Sequence, residues 1–219
     1  MSYQNEIPFE QELLRKGIHL ISLSIPISYF FFNRDLLLFV IGPLTLISFI
    51  LDLLYKENSE VKRIINKFFG KMLRPHETQK GLILTGATWV LISAFMSILI
   101  FPKLIAVTAL SILVVSDISS AIIGRKFGRT KFFNKSFEGT LAFIVSAVIM
   151  VLIIGVLFSA PYSYFIAGII ASIIGAFAEV YSGVCKIDDN FSIPFSVGIT
   201  LWLLGLYFNW INLPFIYLP

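Results

Sequence analysis

The residues best suited to chemistry lie between Asp117 and Thr140. An aspartate at the end of an apolar run is followed by two glycines and five basic residues, the last of which begins Lys-Ser-Phe-Glu-Gly-Thr. A carboxylate can coordinate a cation, Lys and Arg can neutralise phosphate oxygens, and glycine lets backbone N–H groups approach them closely. The segment therefore indicates a site for a polyphosphate and its metal ion at a membrane surface.

The composition that surrounds this segment is that of an integral membrane protein. Of the 219 residues, 57% are hydrophobic and only 14% are charged, and the mean hydropathy is +0.87. Soluble proteins have about a quarter of their residues charged. The net charge of +4 does not indicate nucleic acid binding, because basic residues in membrane proteins mostly mark cytoplasmic loops and attract anionic lipid heads. The one cysteine, Cys185, cannot form an internal disulfide and is interpreted as a packing residue.

Seven apolar runs are predicted to be transmembrane helices, because most are near the ~20 residues that a spanning helix needs. The runs cover residues 17–32, 36–55, 81–101, 104–123, 140–158, 162–181 and 193–213. Pro26 predicts that the first run is thin or kinked. Because no repeat or low-complexity linker separates the runs, we predict an all-α integral membrane protein with about seven transmembrane helices in a single polytopic domain, residues 1–219.

The basic residues predict the orientation of these helices. With a cytoplasmic N-terminus, all but two of the 17 Lys and Arg residues fall on the cytoplasmic side, the exceptions being Arg34 and Lys103. Such a bias is usual in membrane proteins. The first sixteen residues contain three glutamates and lack a basic leader region and a small-residue cleavage site, so they do not resemble a removable signal peptide. We therefore predict a cytoplasmic N-terminus and an outer C-terminus.

One polar segment is predicted to be an amphipathic helix over residues 59–74. Its apolar side chains recur at helical spacing from Val61 to Leu73, and its basic side chains take the opposite face. Ser59 is predicted to cap the helix and Pro75 to end it. Such a helix lies in the membrane interface, so a surface anchor is favoured over a catalytic role.

Polar residues at the cytoplasmic ends of the predicted helices form one layer. Asp52, Asp117 and Glu179 lie near the ends of apolar runs, where an unpaired charge is costly. Helices that begin on the same side open with these polar residues: Arg15, Lys16, His19, Thr85, Thr88, Glu138, Thr140, Asp188, Asp189 and Asn190. An active site is therefore expected to face the cytoplasm.

Helical spacing predicts which acids face the interior. Ala167, Ala171 and Gly175 step by four residues into Glu179, a small-residue stripe that is typical of close helix packing. Asp117 lies beside a similar stripe. A buried carboxylate needs a basic partner or a metal, so each acid either serves chemistry or forms a salt bridge with a neighbour. For Asp52 the salt bridge with Lys56 is an equally good interpretation.

Five motifs, spread in order over nearly the whole chain, resemble those of one enzyme family. They are Arg15-Lys16-x-x-His19, Thr85-Gly86-Ala87-Thr88, Asp117-x-x-x-Ala121-x-x-Gly124 with Gly128, Lys135-Ser136-x-Glu138-Gly139-Thr140, and Ala178-Glu179 followed by Asp189-Asn190 and Pro194. The family is that of the CTP-dependent lipid kinases, which include dolichol kinase, phytol kinase and CTP-dependent diacylglycerol kinase. The phosphatidate cytidylyltransferases look similar around the segment from Asp117 to Thr140.

The resemblance implies a kinase that uses CTP and Mg²⁺ to phosphorylate the hydroxyl of a membrane isoprenoid alcohol, such as dolichol, a polyprenol or a phytol-like lipid. It implies catalytic roles for Asp117, Lys135, Glu138, Glu179 and His19, with Asp117 and Asp189 as metal ligands. It implies that the nucleotide is bound by Arg15, Lys16, Gly124, Arg125, Gly128, Lys131, Ser136, Gly139, Thr140 and Asn190. The expected partners are the lipid and CTP, and a homo-oligomer is compatible with the sequence.

Three alternatives stay open at this point. The enzyme is a CTP-dependent diacylglycerol kinase, or it is a phosphatidate cytidylyltransferase that attacks the alpha phosphorus of CTP, or the chain is a transporter. A transporter needs polar residues across the membrane depth, and the outer halves of the predicted helices have few. The transporter is therefore the least favoured of the three.

Overall fold

The computed structural model describes residues 8–70, 84–133, 135–185 and 187–215, which are mostly helical. The helices in these ranges are α1 (Phe9–Ile21), α2 (Ser24–Phe31), α3 (Arg34–Glu57), α4 (Ser59–Phe69), α5 (Gly86–Ile100), α6 (Lys103–Phe127), α7 (Phe137–Leu157), α8 (Tyr162–Cys185) and α9 (Asp189–Trp210). Two short antiparallel strands, β1 (Lys131–Phe132) and β2 (Lys135–Ser136), form a hairpin between α6 and α7. The sequence analysis did not predict this hairpin.

Several of these helices are long and apolar enough to cross a membrane. Five qualify by length and composition within the described ranges, namely α3, α6, α7, α8 and α9. The 15-residue helix α5 is apolar but shorter, and residues 81–83 of its predicted run lie outside the described residues. The chain is thus a mostly helical, multi-pass membrane protein, as predicted.

The first predicted helix, residues 17–32, is wrong as a single element. It is divided into α1 and α2 by a turn at Ser22 and Leu23. Pro26 has no N–H to donate to the carbonyl group four residues earlier, and the Ile25 N–H bonds to the Ser22 carbonyl at 3.0 Å instead. The proline therefore tightens the chain into two short helices.

The amphipathic helix is present as α4, but its cap differs from the prediction. Asn58, rather than Ser59, accepts hydrogen bonds from the N–H groups of Glu60 and Val61, at 2.9 and 3.3 Å. The Tyr55 hydroxyl donates to Asn66 Oδ1 at 2.8 Å and ties α4 to the end of α3. Residues 71–74 of the predicted helix lie outside the described residues.

Helix α6 lies at the centre of the bundle. Its residues from Leu104 to Val114 are all buried, as expected for a helix that is apolar on every side. It packs against α7 and α9, and also against α1 and α2. In α8, Ala167 and Ala171 are fully buried, and a Cβ added at Gly175 would lie 2.8 Å from Val197 of α9. The predicted small-residue stripe therefore packs α8 closely against its neighbours.

The two ends of the bundle differ in polarity. At one end, Arg34 Nε donates to the Ile98 carbonyl at 2.8 Å, and Lys103 Nζ donates to the Phe32 carbonyl at 3.0 Å. These cations satisfy carbonyl groups at helix C-termini. Asp117 and the other buried charged side chains lie at the opposite end.

Helix α1 has an unusual distribution of side chains. Glu12 and Lys16 are buried against the protein, whereas Leu13, Leu14 and Ile18 are 43 to 55% exposed. Its polar face therefore contacts the bundle and its apolar face points outward, as suits an element that meets lipid.

Candidate active site

Charged side chains from five elements meet at one end of the bundle. Helices α6 and α8 reach this end near their C-termini, α9 begins there, and α1 and the hairpin supply the remaining groups. We call this group the polar centre, and it consists of Lys16, His19, Asp117, Lys135, Glu179 and Asp189. All except His19 and Lys135 are buried. The structure thus brings six predicted site residues together.

Lys16 and Asp117 form a buried ion pair between α1 and α6. Lys16 Nζ donates a hydrogen bond to Asp117 Oδ2, and the two side chains are only 2% and 4% exposed. His19, one turn further along α1, places Nε2 3.6 Å from the same oxygen. That nitrogen is buried and has no hydrogen-bond partner among the described residues. Asp117 is therefore held by a distant part of the chain.

Lys135 and Glu179 form a second ion pair, between the hairpin and α8. Lys135 Nζ lies 2.7 Å from Glu179 Oε1, to which Ser120 Oγ also donates at 2.9 Å. Glu179 is fully buried, and its Oε2 has no hydrogen-bond partner among the described residues. The Lys135 side chain remains 35% exposed. This pair therefore presents a cation that a ligand can reach, beside a buried carboxylate with one oxygen that accepts no hydrogen bond among the described residues.

Nearby carboxylates keep the Lys135 side chain charged. Burial disfavours its charged form, but the carboxylates outweigh this effect and hold the pKa of the ammonium above its ordinary value. They belong to Glu179, Asp189 and Asp117, in decreasing order of effect. Lys135 is therefore a fixed positive charge at neutral pH.

Asp189 and Asn190 lie in the first turn of α9, which begins beside the polar centre. Asp188 caps this helix, since its carboxylate accepts from the Asn190 N–H at 3.0 Å and from the Asn190 Nδ2 at 2.8 Å. The charge of Asp189 acts on both Lys16 and Lys135. Asp189 therefore belongs to the polar centre, whereas the Asn190 amide is bound to the capping residue.

A second group of charges, which we call the arginine rim, consists of Glu12, Arg15 and Arg125. Glu12 accepts two hydrogen bonds from Arg15, at 2.5 and 3.2 Å, and its Oε2 lies 3.9 Å from Arg125. One buried carboxylate thus holds guanidinium groups from α1 and α6 near each other. Sequence reasoning missed Glu12 as a site residue, although its three-residue spacing to Arg15 is typical of a helical ion pair.

The glycines of the predicted phosphate cradle serve helix packing in this structure. A Cβ at Gly124 or Gly128 would lie within 3 Å of Ser136, and one at Gly139 would lie 3.0 Å from the Ser120 carbonyl oxygen. Ser136 caps α7 by accepting from the Gly139 N–H at 3.1 Å. These glycines let the end of α6 meet the start of α7.

Three further predicted residues lie apart from the polar centre. The Glu138 carboxylate accepts from the Thr130 N–H at 3.1 and 3.3 Å, so it fixes the chain before the hairpin. Lys131 is exposed on β1, opposite Ser136. The Thr140 hydroxyl donates to the Ser136 carbonyl at 3.1 Å. The Glu138 and Thr140 side chains therefore have local structural roles.

Asp52 belongs to a separate polar cluster between α3 and α5. Its Oδ2 accepts from the Thr85 N–H at 2.8 Å, and both of its oxygens lie 3.1 Å from the Thr85 hydroxyl. Ser48 and Thr88 share a hydrogen bond of 2.6 Å beside them. The Thr-Gly-Ala-Thr motif is thus a helix N-terminus whose orphan N–H group is satisfied by a buried acid.

The carboxylates of the polar centre would hold Mg²⁺ together with a phosphate ligand rather than by themselves. No three His, Cys, Asp or Glu side chains within the described ranges form a ready-made metal site. Mg²⁺ usually binds one or two carboxylates together with waters and substrate phosphates, and Asp117 and Asp189 supply that number.

Comparison with known proteins places the chain in a family of similar length. No family model and no solved structure matches it. The uncharacterized protein RP860 of Rickettsia prowazekii is 34% identical over 192 residues, which cover 86% of this chain and 92% of the relative. The uncharacterized protein MJ1137 of Methanocaldococcus jannaschii is 29% identical over 194 residues, or 87% and 93% of the two chains. At this identity and coverage, the chain belongs to the same family as the Rickettsia prowazekii protein.

Proposed function

We propose that this protein is a CTP-dependent kinase that phosphorylates the hydroxyl of a membrane isoprenoid alcohol at the cytoplasmic face. The observation that carries the proposal is that the polar centre and the arginine rim lie side by side at one end of the bundle. The polar centre brings together the carboxylates of Asp117, Glu179 and Asp189, and the arginine rim brings together the guanidinium groups of Arg15 and Arg125. Arg15 and Lys16 are consecutive in α1, so the two groups adjoin.

The polar centre and the arginine rim together suit a nucleoside triphosphate with a bound metal ion. The carboxylates of the polar centre favour Mg²⁺, which Asp117 and Asp189 would hold, while the guanidinium groups of the arginine rim favour phosphate oxygens. When bound, Mg²⁺ would neutralise charge on the transferring phosphoryl group. Lys135, partly exposed and always charged, lies where a phosphate bound at the polar centre would meet it.

In the proposed reaction, the lipid hydroxyl oxygen forms a bond to the gamma phosphorus of CTP. The bond between that phosphorus and the oxygen bridging to the beta phosphorus breaks, and CDP leaves. The hydroxyl proton passes to a carboxylate, and Glu179 Oε2 suits this role because it accepts no hydrogen bond among the described residues. Such a reaction depends mainly on positioning and on electrostatic stabilisation.

We also propose seven membrane crossings with a cytoplasmic N-terminus, in which residues 17–32 and α5 cross together with the five longer helices. The positive-inside bias supports this orientation. The polar centre and the five basic residues between Asp117 and Thr140 share one end of the bundle, whereas Arg34 and Lys103 lie at the other. The active site would then face cytoplasmic CTP.

Labelled CTP tests the reaction directly. Purified protein is incubated with Mg²⁺, a panel of polyprenol, phytol, diacylglycerol and phosphatidate, and CTP that is labelled at either the gamma or the alpha phosphorus. We expect gamma label on an isoprenoid alcohol. Gamma label only on diacylglycerol would identify the diacylglycerol kinase, and alpha label on phosphatidate would identify a cytidylyltransferase. No label in any lipid would refute all three enzymes.

A transporter is a weaker candidate, because the buried charged side chains are concentrated at one end. Within the described ranges these are Glu12, Lys16, Asp52, Asp117, Glu179 and Asp189. An ion pathway needs such groups through the membrane depth, and none of these six lies at the opposite end of the bundle.

A further inference from the structure

The hairpin beside the polar centre holds an aromatic residue in an unfavourable backbone conformation. Phe133 follows β1 and has φ of 51°, a left-handed value that suits glycine or asparagine. Only two residues join β1 to β2, and the common two-residue hairpins have positive φ at the first of these positions. The Phe133 ring is nevertheless 50% exposed. The turn accounts for the positive φ but not for an exposed phenylalanine at this position, and strained residues cluster at functional sites.

Phe133 is part of a larger exposed surface, which we call the aromatic surface. It consists of Phe132, Phe133, Phe137, Phe177 and Tyr181. Phe132 lies at its centre, with ring centroids 5.1 Å from Phe133, 6.3 Å from Phe137 and 6.5 Å from Phe177. The Phe133 and Tyr181 rings are 5.1 Å apart. All members except Phe132 are more than 40% exposed.

The aromatic surface continues the apolar faces of two membrane-spanning helices. In α7 the exposed positions at helical spacing are Phe137, Leu141, Val145, Ile149 and Leu152. In α8 they are Ile166, Ile170, Ile173, Phe177 and Tyr181. Each stripe ends at the aromatic surface, where these helices leave the bundle at the level of the polar centre. A hydrocarbon chain that lies along either stripe therefore has an unbroken apolar path to the hairpin.

The same hairpin also reaches into the polar centre. Phe132 and Lys135 are paired across the two strands, so their side chains leave the same face of the ribbon. Phe132 packs on Phe177, while Lys135 Nζ bonds to Glu179 two residues further along α8. Phe177 is on the exposed side of the helix and Glu179 is fully buried. The hairpin thus spans the boundary between lipid and the buried carboxylate.

We propose that the aromatic surface binds the hydrocarbon chain of the lipid alcohol and presents its hydroxyl to Glu179 and Lys135. This inference rests on the proposed function, and it names the site of the second substrate. An isoprenoid or similar chain fits because the surface is apolar and is continuous with the lipid-facing stripes. The hydroxyl at the end of the chain then meets the one exposed cation of the polar centre. The lipid enters sideways from the membrane, and CTP enters from the arginine rim.

A simpler role, membrane anchoring, predicts different measurements. Aromatic side chains collect at membrane interfaces and anchor proteins there. An anchor affects insertion and stability but has no preference for an alcohol. The matched control is Phe39→Ala, because Phe39 in α3 is 78% exposed and is remote in sequence from the hairpin.

The test uses a long-chain alcohol that carries a photoreactive diazirine on its tail, added to the full-length protein in phospholipid nanodiscs without CTP. We expect mapped adducts in residues 132–137 and 177–181, and competition by unlabelled polyprenol but not by added phospholipid. Phe133→Ala and Tyr181→Ala should each reduce this labelling by about tenfold, the effect of losing one ring that the bound chain would cover. Phe39→Ala should leave it unchanged. Adducts spread evenly over the lipid-facing helices, or competition by phospholipid, would overturn the proposal.

Phe133→Gly separates binding from stability. Glycine relieves the left-handed strain, so the thermal midpoint should be unchanged or raised while labelling falls by about tenfold. An unchanged adduct yield would overturn the proposal. If the labelled-CTP assay is positive, the same variant should raise the KM for the lipid without changing the KM for CTP. If that assay is negative, the photolabelling still decides whether the aromatic surface binds an alcohol.

Discussion

Lys16 Nζ donates to Asp117 Oδ2 across 101 positions of the chain, and both side chains are buried. Without any ligand, Asp117 is already paired with a cation from α1. Lys16 and Asp117 therefore neutralise each other's charge. Removal of one partner leaves an uncompensated charge in a dry environment, a loss that typically costs about 3–5 kcal/mol.

The first prediction follows from that pair. Lys16→Met or Asp117→Leu alone should lower stability by about 3–5 kcal/mol, while the double variant should recover most of the loss because no charge is left unpaired. All three should lack kinase activity. Unfolding in detergent followed by tryptophan fluorescence measures the first effect, and the labelled-CTP assay measures the second. A double variant that is as unstable as the singles would mean that packing, rather than charge, holds α1 in place.

The second prediction concerns the two lysines at opposite ends of the bundle. Lys135→Ala should reduce kcat by about 10²- to 10³-fold with the protein still inserted, because a preorganised cation stabilises the transferring phosphoryl group. Lys103→Ala is the control, since Lys103 contacts only the Phe32 carbonyl and the Tyr29 ring among its described contacts. It should retain wild-type turnover. Equal effects of the two substitutions would contradict the position of the site.

The third prediction concerns Glu12 as a positioning residue of the arginine rim. Glu12→Gln should loosen Arg15 and Arg125, and it should therefore raise the KM for CTP more than it lowers kcat. Glu12→Asp should restore part of the affinity, because it keeps the charge. An effect on kcat alone would contradict this role.

Glu12 also makes the arginine rim sensitive to acid. Burial alone would raise the pKa of Glu12, but the hydrogen bonds and charge of Arg15, with the charges of Lys16 and Arg125, hold it below the ordinary value of 4.5. Its stabilising contribution is therefore complete above pH 4.5 and is lost as the pH falls from there through the lower pKa of the folded protein. The stability difference between the wild type and Glu12→Gln should be constant at higher pH and should shrink in this acid range.

The fourth prediction separates close helix packing from phosphate binding. A Cβ at Gly139 would lie 3.0 Å from the Ser120 carbonyl oxygen and 3.1 Å from Gly124 Cα. Gly139→Ala should therefore cost about 1–3 kcal/mol. Gly17→Ala is the control, because an added Cβ meets no described atom within 4 Å, and it should gain about 0.5–1 kcal/mol of helix stability. A Gly139→Ala variant with unchanged stability but a raised KM for CTP would instead favour the phosphate cradle.

The sequence predicted which charges share one end of the bundle, but not how they pair. Alternating helix directions put Asp117, Lys135, Glu179 and Asp189 on one side, and this needs only the order and length of the apolar runs. The pairing of Lys16 with Asp117 depends on α1 lying against α6, a choice that no local pattern encodes. The packing role of the glycines was not predicted either, since a glycine suits close approach to a helix as well as to a phosphate.

Local hydrogen bonding explains the other differences. Asp52 has a neighbouring cation in the sequence, Lys56, yet its oxygens accept from Thr85, because the start of a buried helix has orphan N–H groups. Pro26 was correctly expected to kink the first helix. The sequence did not predict that the helix would divide in two, because this depends on the hydrogen bond that the Ser22 carbonyl accepts from Ile25. The hairpin was missed because two strands of two residues are too short to produce an alternating pattern.

The inverted polarity of α1 has a consequence for biogenesis. Lys16 cannot pair with Asp117 until α6 has been synthesised, about a hundred residues later, so we expect the nascent helix to rest at the membrane surface on its apolar side. Asp117 in turn enters the bilayer before its counter-ion is docked. The polar centre is therefore complete only after α1 has docked against α6, and in the proposed kinase, activity would report complete folding of the bundle.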